Sequence, residues 1–192
     1  MDLRTIKTEK LIEDTFKQML CETDIRKITV KELAERCYIN RKTFYTHYET
    51  IDILISKILD QVADEYIQEF SSLPDGRPHE DANRVFFTFF SGQPEWVQKI
   101  LCYEPYEYLS NIVFDKAYDY AFEHNAYNPM RNLPQSVRNM IKTFYRSTTL
   151  DLYRQWMKDG RKLTLDEVIA VSSELICHGE NGTVNISAMY KH

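Results

Sequence analysis

Apolar residues recur at intervals of three and four along most of this 192-residue chain. That spacing places them on one face of an α-helix, and no stretch alternates apolar and polar residues over a useful strand length. Only five glycines are present, so few positions interrupt the helical pattern. The pattern predicts an all-α protein, with long helices over about residues 3–21, 50–70, 105–124, 135–158 and 165–177.

Capping signals mark the ends of several predicted helices. Thr164 and Glu167 have the spacing of a capping box at the start of the last helix. Gly160 and Gly179 follow the last two helices, as glycine commonly does at a helix C-terminus. The stretch 71–78, SSLPDGRP, is the clearest loop, because proline, aspartate and glycine punctuate it.

A different pattern occupies residues 24–48, DIRKITVKELAERCYINRKTFYTHY. Thr29 stands at an N-cap position with Glu32 three residues later, so a capping box is expected at the start of a first short helix. A four-residue break follows, and Asn40 is the expected N-cap of a second short helix over 41–48. Two short helices joined by a tight break are the pattern of a helix-turn-helix.

The second short helix has one apolar face and one face that is basic, hydroxylated and aromatic. Phe44 and Tyr48 lie four residues apart and are predicted to pack inward. The opposite face fits the major groove of B-DNA, where Arg and Lys donate to guanine edges while hydroxyls and imidazole donate to phosphates. The residues predicted at this surface, with no acidic residue among them, are Arg41, Lys42, Thr43, Tyr45, Thr46 and His47.

This stretch resembles the TetR family of bacterial transcriptional regulators. The resemblance covers about the first quarter of the chain, and by it Thr29, Thr43, Tyr45 and His47 would contact backbone phosphates. Arg41, Lys42 and Thr46 would approach the bases. The residues that carry the resemblance are Ile28-Thr29-Val30, Leu33-Ala34, Ile39-Asn40, Thr43-Phe44-Tyr45-Thr46-His47-Tyr48 and, in the next helix, Leu54.

The resemblance also implies an architecture and a function. A helix-turn-helix DNA-binding head over residues 1–48 would be followed by a helical ligand-binding and dimerisation domain over residues 49–192. Such a protein is expected to bind a near-palindromic operator in double-stranded DNA as a homodimer, with half-sites about one helical turn apart. A small-molecule inducer would release the DNA, so repression is the default expectation.

Two positions depart from the family pattern. Tyr38 stands where the turn usually carries glycine, and a positive φ there would strain a bulky residue by about 1 kcal/mol. Ile51 stands where the family tends to have a lysine, so one phosphate contact is expected to be absent. These departures leave open a second hypothesis, in which the same fold acts through a protein partner instead of reading an operator. A face free of acidic residues over 41–48 favours DNA.

An aromatic cluster follows the predicted loop and has two interpretations. Such side chains are commonly core residues of a helical body. The resemblance favours instead a cavity for a flat or amphipathic inducer, with aromatic walls and a few phenol hydroxyls. The residues predicted to line that cavity are Phe86, Phe90, Trp96, Tyr103 and Tyr106.

The last two predicted helices carry more apolar surface than one small body covers. We therefore predict that they pair with their copies in a four-helix dimer interface. The apolar positions are Val137, Ile141, Phe144, Tyr145, Thr148, Leu152 and Trp156 on one helix, and Val168, Val171 and Leu175 on the other.

Charge and composition narrow the functional class. The net charge of −5 hides a basic surplus in residues 1–48, which hold ten Lys and Arg against eight Asp and Glu. A basic head on an acidic body repels the phosphate backbone except at the intended face, so the overall charge is compatible with DNA binding. The sequence shows neither a signal peptide nor a membrane span, which predicts a cytoplasmic protein.

The sequence carries no signature of catalysis. The five histidines have no metal-ligand spacing with each other or with a cysteine, and the four cysteines form no C-x-x-C pair. Neither a phosphate-binding glycine loop nor a G-x-S-x-G motif is present. No enzyme activity, metal or cofactor is therefore predicted, and the thiols are expected to be reduced.

Overall fold

The computed structural model describes residues 3–72, 79–103, 107–124 and 132–179. Regular secondary structure in these ranges is entirely helical, which confirms the predicted all-α fold. None of the helices in these ranges is long and apolar enough to cross a membrane. In chain order the α-helices are α1 (Leu3–Glu22), α2 (Val30–Arg36), α3 (Arg41–His47), α4 (Ile51–Ser71), α5 (His79–Gly92), α6 (Glu95–Cys102), α7 (Glu107–His124), α8 (Gln135–Lys158) and α9 (Leu165–His178), and a 3-10 helix, Ile25–Lys27, lies between α1 and α2.

The start of α9 follows the capping chemistry that the sequence predicts. The Glu167 N–H donates to the Thr164 hydroxyl oxygen at 3.3 Å, and the Thr164 N–H donates to the Glu167 carboxylate at 2.7 Å. The predicted capping box is therefore confirmed. The hydrogen bond from the Thr164 backbone lowers the pKa of the Glu167 carboxyl, because it favours the ionised form.

The helices group into two compact units. The first unit comprises Met1–Val62 and Pro94–Leu109, and the second comprises Ala63–Gln93 and Ser110–His192. α4 contributes residues to both units. The predicted domain boundary after residue 48 stays a prediction.

α6 belongs to the first unit because it packs against α1. Its Lys99 ammonium donates to the carbonyl oxygens of Leu20 and Cys21, at 3.2 and 2.7 Å. Both carbonyls lie in the last turn of α1, where the helix leaves backbone acceptors without an intrahelical partner. A cation there also interacts favourably with the helix dipole. The contact ties a segment from the middle of the chain to the N-terminal helices.

The core of the first unit forms where α1 and the short helices bury their apolar faces. Ile12, Phe16 and Met19 of α1 are fully buried, as are Leu33 of α2 and Phe44 of α3. Burial of a side chain of this size contributes about 1.5–3 kcal/mol. An isolated helix as short as α3 would not be stable in water, so packing against α1 and α2 supports it.

The core of the second unit is aromatic. The rings of Phe86 and Phe90 on α5 lie 4.8 Å apart, and Phe86 meets the ring of Tyr153 on α8 at 5.6 Å. The Tyr153 hydroxyl donates to the Phe90 carbonyl at 3.2 Å. α5 also packs against α9, where the Asn83 amide donates to the Ser172 hydroxyl at 2.7 Å. Ring packing and buried hydrogen bonds together fix α5 between these two helices.

The apolar residues of α8 and α9 divide between core and surface. Trp156 and Val168, which the sequence places in a dimer interface, are 6% and 5% exposed and belong to the core of one protomer. Val137, Met140 and Phe144 are 38%, 74% and 50% exposed. Their spacing of three and four places these exposed residues on one face of α8. The first half of α8 therefore carries an apolar face that the described residues leave exposed.

Candidate nucleic-acid interface

Thr29 is the N-cap of α2, as the sequence predicts, but the predicted capping box is only half formed. The Glu32 N–H donates to the Thr29 hydroxyl oxygen at 3.2 Å. The Glu32 carboxylate pairs instead with Arg36, at 3.2 Å, one turn further along the helix. Thr29 remains exposed and its hydroxyl keeps a proton that it can donate to a phosphate.

α3 is fixed by a cap and by two buried aromatic residues. The Lys42 N–H donates to the Asn40 side-chain oxygen at 2.9 Å, which confirms the predicted N-cap. Phe44 and Tyr48 are 0% and 3% exposed, so both predicted inward positions are confirmed. With this face held against the core, the opposite face of α3 is directed to solvent.

On the outward face of α3, two cations have no acidic partner among the described residues. Arg41 and Lys42 are both exposed, and neither side chain makes an ion pair with a residue that the structure describes. Arg36 on the neighbouring helix α2, by contrast, pairs with Glu22. Unmatched cations on an exposed helix attract a polyanion.

Three further predicted contact residues lie along α3. Tyr45 is 54% exposed, with its ring at right angles to that of Phe44. Thr43 is half-buried. Thr46 donates its hydroxyl proton to the Thr43 carbonyl at 2.6 Å. Thr46 therefore offers a methyl group and hydroxyl lone pairs to an incoming base, and its O–H donor is already used.

His47 is less exposed than the sequence predicts. Its side chain is 11% exposed, and Nδ1 lies 3.3 Å from Oε1 of Glu9 on α1. A neutral ring that donates to Glu9 from Nδ1 has only an acceptor at Nε2, whereas the imidazolium ring keeps an Nε2–H donor. Because Nδ1 faces Glu9, a contact between His47 and a phosphate would be made through Nε2.

Beside His47, a cluster of charged and phenolic groups joins α3 to α1 and α4. The Tyr48 hydroxyl donates to Oε1 of Glu13 at 2.9 Å, and Glu13 is 8% exposed. The Lys57 ammonium of α4 lies 2.6 Å from Glu9 and 3.3 Å from Glu13. The hydrogen bond from Lys57 lowers the pKa of the Glu9 carboxyl. Burial, reinforced by the hydrogen bond to Glu13, raises the pKa of Tyr48 to about 12.

Sequence reasoning missed this cluster, although one signal for it is present. Glu13 stands between Ile12 and Phe16, which face the core, and Glu9 lies one turn earlier on the same helix. A carboxylate within such an apolar stripe requires a donor, because an unpartnered buried charge is strongly unfavourable. That requirement indicates that polar side chains of another helix contact α1 at this point, but it does not identify Lys57 and Tyr48 as the donors.

The turn between α2 and α3 contains Tyr38 with a φ of 55°. The Tyr38 N–H donates to the Glu35 carbonyl at 3.1 Å, and the Ile39 N–H donates to the Ala34 carbonyl at 3.0 Å. These two bonds form a Schellman motif, in which the left-handed position is usually glycine. The turn therefore keeps the backbone of a glycine turn despite the bulky residue, with a strain of about 1 kcal/mol.

Two residues predicted to line a ligand cavity lie in the aromatic core of the second unit. Phe86 and Phe90 are 1% and 0% exposed. The Phe86 ring lies 4.9 Å from that of Phe114, and the Phe90 ring lies 5.2 Å from that of Tyr66. This packing is that of core residues, and the cavity stays a prediction.

The other three predicted cavity residues are placed differently. Trp96 and Tyr103 belong to the first unit, where Lys17 lies over the Trp96 ring at 5.3 Å and Arg26 over the Tyr103 ring at 5.2 Å. Tyr106 lies outside the described residues. As for metals, no group of three or more His, Cys, Asp or Glu side chains in the described part of the chain is placed to hold an ion.

Comparison with solved structures finds a protein of similar fold. No family model matches the chain, and no curated protein matches it. A crystal structure of a TetR-family transcriptional regulator from Streptomyces coelicolor is similar, with a TM-score of 0.59 and 14% sequence identity. The similarity covers 98% of this chain and 85% of that chain. The chain therefore has a TetR-like fold.

Proposed function

We propose that this protein is a TetR-like transcriptional regulator that binds a near-palindromic DNA operator as a homodimer. The observation that carries the proposal is the exposed face of α3, on which Arg41 and Lys42 have no acidic partner among the described residues. The Asn40 cap and the burial of Phe44 and Tyr48 hold that face outward. Similarity in fold to a TetR-family regulator supports the same function.

Each residue of the interface has a role that follows from its chemistry. Arg41 and Lys42, at the start of α3, donate to guanine edges in the major groove. Thr46 presents its methyl group to a thymine methyl. The contacts to backbone phosphates, which position the helix without reading sequence, are assigned to Thr29, Thr43, Tyr45 and His47.

A second copy of the chain is proposed to pack on α8. Val137, Met140 and Phe144 form an exposed apolar face on this helix, and exposed apolar groups that lie together mark association surfaces. A dimer with two-fold symmetry about this face contains two copies of α3. Two such helices read half-sites about one helical turn apart, which is why the operator is proposed to be a near-palindrome.

Release from DNA is proposed to follow from binding of a flat or amphipathic small molecule among the aromatic residues of the second unit. A ligand can release the DNA only if it binds the free arrangement more tightly than the DNA-bound arrangement. On this proposal the protein acts as a repressor. A compound that releases the parent from DNA should lose potency against a Phe90→Leu variant, and equal potency would contradict the assignment of Phe90.

The operator can be sought by selection from a pool of random duplexes, followed by sequencing. The parent should recover a near-palindromic motif, and an Arg41→Ala/Tyr45→Ala variant should not. A Lys158→Ala variant is the control, because it removes an exposed cation from α8, and it should recover the same motif as the parent. If the folded, dimeric parent recovers no motif at low salt, the result contradicts operator binding and favours action through a protein partner.

A further inference from the structure

Tyr38 occupies a backbone position that the same chain fills with glycine elsewhere. The Schellman motif that ends α2 recurs at the end of α8, where the Gly160 N–H donates to the Met157 carbonyl and the Arg161 N–H to the Trp156 carbonyl, both at 3.0 Å. The φ angle is 74° at Gly160 and 55° at Tyr38. This region of φ favours glycine, which has no Cβ. A tyrosine therefore makes the α2 turn less stable than a glycine would.

Among the described residues, no contact offsets the strain at Tyr38. Its side chain is 97% exposed and makes no hydrogen bond or ring contact within the ranges that the structure describes. Arg161, also at a φ of 55°, differs because its guanidinium lies over the Trp156 ring at 5.2 Å. Residues with this kind of backbone strain cluster at functional sites. An exposed strained residue without an internal partner is therefore expected to contact another molecule.

The position of Tyr38 in the chain indicates which molecule that is. Tyr38 precedes Arg41 by three residues and is followed closely by the Asn40 cap. In helix-turn-helix proteins the first helix crosses the DNA backbone, and the start of the second helix reaches base edges. The turn between them therefore passes the edge of the groove, where the phosphates lie.

We propose that the Tyr38 hydroxyl donates a hydrogen bond to a backbone phosphate of the bound duplex. The inference rests on the proposed DNA binding by α3, and it adds a contact residue in the turn before that helix. Tyrosine hydroxyls are common donors to phosphate oxygens, and such contacts fix the register of the protein without reading the sequence. Because a phenol carries no charge, the contact displaces no counterion from the duplex.

A Tyr38→Phe variant tests the hydroxyl alone, since it keeps the ring and the backbone strain. The expected result is about a tenfold loss of affinity for every duplex, as for loss of a hydrogen bond to a charged group. The melting temperature should not change, because the hydroxyl is exposed. The slope of log affinity against log salt should equal that of the parent, whereas Lys42→Ala, which removes a positive charge from the interface, should make the slope shallower.

A matched control removes a tyrosine hydroxyl far along the chain from the turn. Tyr120 lies in the second unit, and its ring stacks on that of His124 at 4.1 Å. A Tyr120→Phe variant should bind DNA as tightly as the parent. If Tyr120→Phe lowered DNA affinity as much as Tyr38→Phe does, the loss would not be specific to the turn. That result would contradict the phosphate contact.

A Tyr38→Gly variant should change stability and affinity in opposite directions. Relief of the left-handed strain should raise the melting temperature, while loss of the phenol should lower DNA affinity at least as much as Tyr38→Phe does. If the parent binds DNA and Tyr38→Phe binds equally well, the phosphate contact is wrong and the proposed function stands. If the parent binds no duplex at low salt, both are wrong.

Discussion

The hydroxyl of Tyr48, at the C-terminal end of α3, is hydrogen-bonded to α1. It donates to the buried Glu13 carboxylate at 2.9 Å, and the Lys57 ammonium donates to the hydroxyl oxygen at 3.3 Å. Without the hydroxyl, Glu13 would keep a buried charge with one donor fewer. Loss of a hydrogen bond to a charged group costs about 1.5–3 kcal/mol. The Tyr48 hydroxyl therefore stabilises the attachment of α3 to α1.

A Tyr48→Phe variant should therefore have a free energy of unfolding about 1.5–3 kcal/mol below that of the parent in urea denaturation at neutral pH. Tyr45→Phe is the control, because the Tyr45 side chain is 54% exposed, and it should match the parent. Equal stability of the two variants would contradict the role of the buried hydroxyl.

The same residue predicts a loss of stability in alkali. Burial, reinforced by the hydrogen bond to Glu13, raises the Tyr48 pKa from 10.0 to about 12 in the folded protein. The folded state therefore holds the phenol proton more tightly than the unfolded chain does. This contribution to stability is complete below pH 10 and is lost as the pH rises toward 12. In denaturation series across this range, Tyr48→Phe should lose less stability than the parent.

Glu9 predicts the opposite dependence in acid. The hydrogen bond from Lys57 holds the Glu9 pKa below its ordinary 4.5, and contact with His47 acts in the same direction. A carboxyl with a lowered folded pKa stabilises the protein above the unfolded pKa, and this contribution is lost as the pH falls through the folded value. The parent should lose more stability below pH 4.5 than a Glu9→Gln variant. Parallel stability curves for the two proteins would contradict this role of Glu9.

At the scale of elements, capping residues set where α3 and α9 begin, and their removal should have different consequences. Asn40 accepts from the Lys42 N–H, and Thr164 accepts from the Glu167 N–H. Replacing either Asn40 or Thr164 by alanine should lower the free energy of unfolding by about 1 kcal/mol. Only Asn40→Ala should also weaken duplex binding, because the first turn of α3 carries Arg41. Equal DNA affinity of the two variants would contradict the role of α3.

Helix ends are the part of this fold that the sequence predicts best. α8 spans Gln135–Lys158, as predicted, because the proline before it and the glycine after it act within a few residues of the boundary. Side-chain partners are harder to predict. Glu32 can reach back to the Thr29 N–H or forward to Arg36, and the chosen pairing depends on side-chain geometry that spacing alone does not give.

The exposure of side chains on α3 is also only partly predictable from the sequence. Spacing correctly predicts that Phe44 and Tyr48 face inward. The half-burial of His47 depends on Glu9, which lies 38 positions earlier in the chain. A residue at the edge of a helical face is exposed or covered depending on which helix packs beside it. The local sequence pattern does not identify that helix.

For the whole molecule, the proposed self-association depends on the exposed apolar face of α8. Met140 is 74% exposed, so a Met140→Glu variant should fold with little change in stability. A charge buried between two protomers would be strongly unfavourable, and sedimentation velocity should therefore show a monomer in place of a dimer. Thr88→Glu, at an exposed position of α5, is the control and should remain dimeric. A dimeric Met140→Glu variant would contradict assembly through this face.

The grouping of helices is the least predictable level of this structure. The amphipathic pattern of α6 predicts that it packs against something, but not that its partner is α1. Phe90 and Trp96 are close in the sequence and belong to different compact units. Long-range packing depends on the shapes of complete helix faces, so neighbouring aromatic residues in a sequence do not establish a shared cavity.

DNA binding through α3 is tested most directly by the salt dependence of duplex affinity. Fluorescence anisotropy would compare the parent, an Arg41→Ala/Lys42→Ala variant and the Lys158→Ala control, all checked for native circular dichroism. Log affinity of the parent and the control should fall linearly with log salt. The double variant should bind more weakly and with a shallower slope, because two positive charges have been removed from the face that meets the duplex. Equal affinity and equal slope for the parent and the double variant would contradict DNA binding through α3.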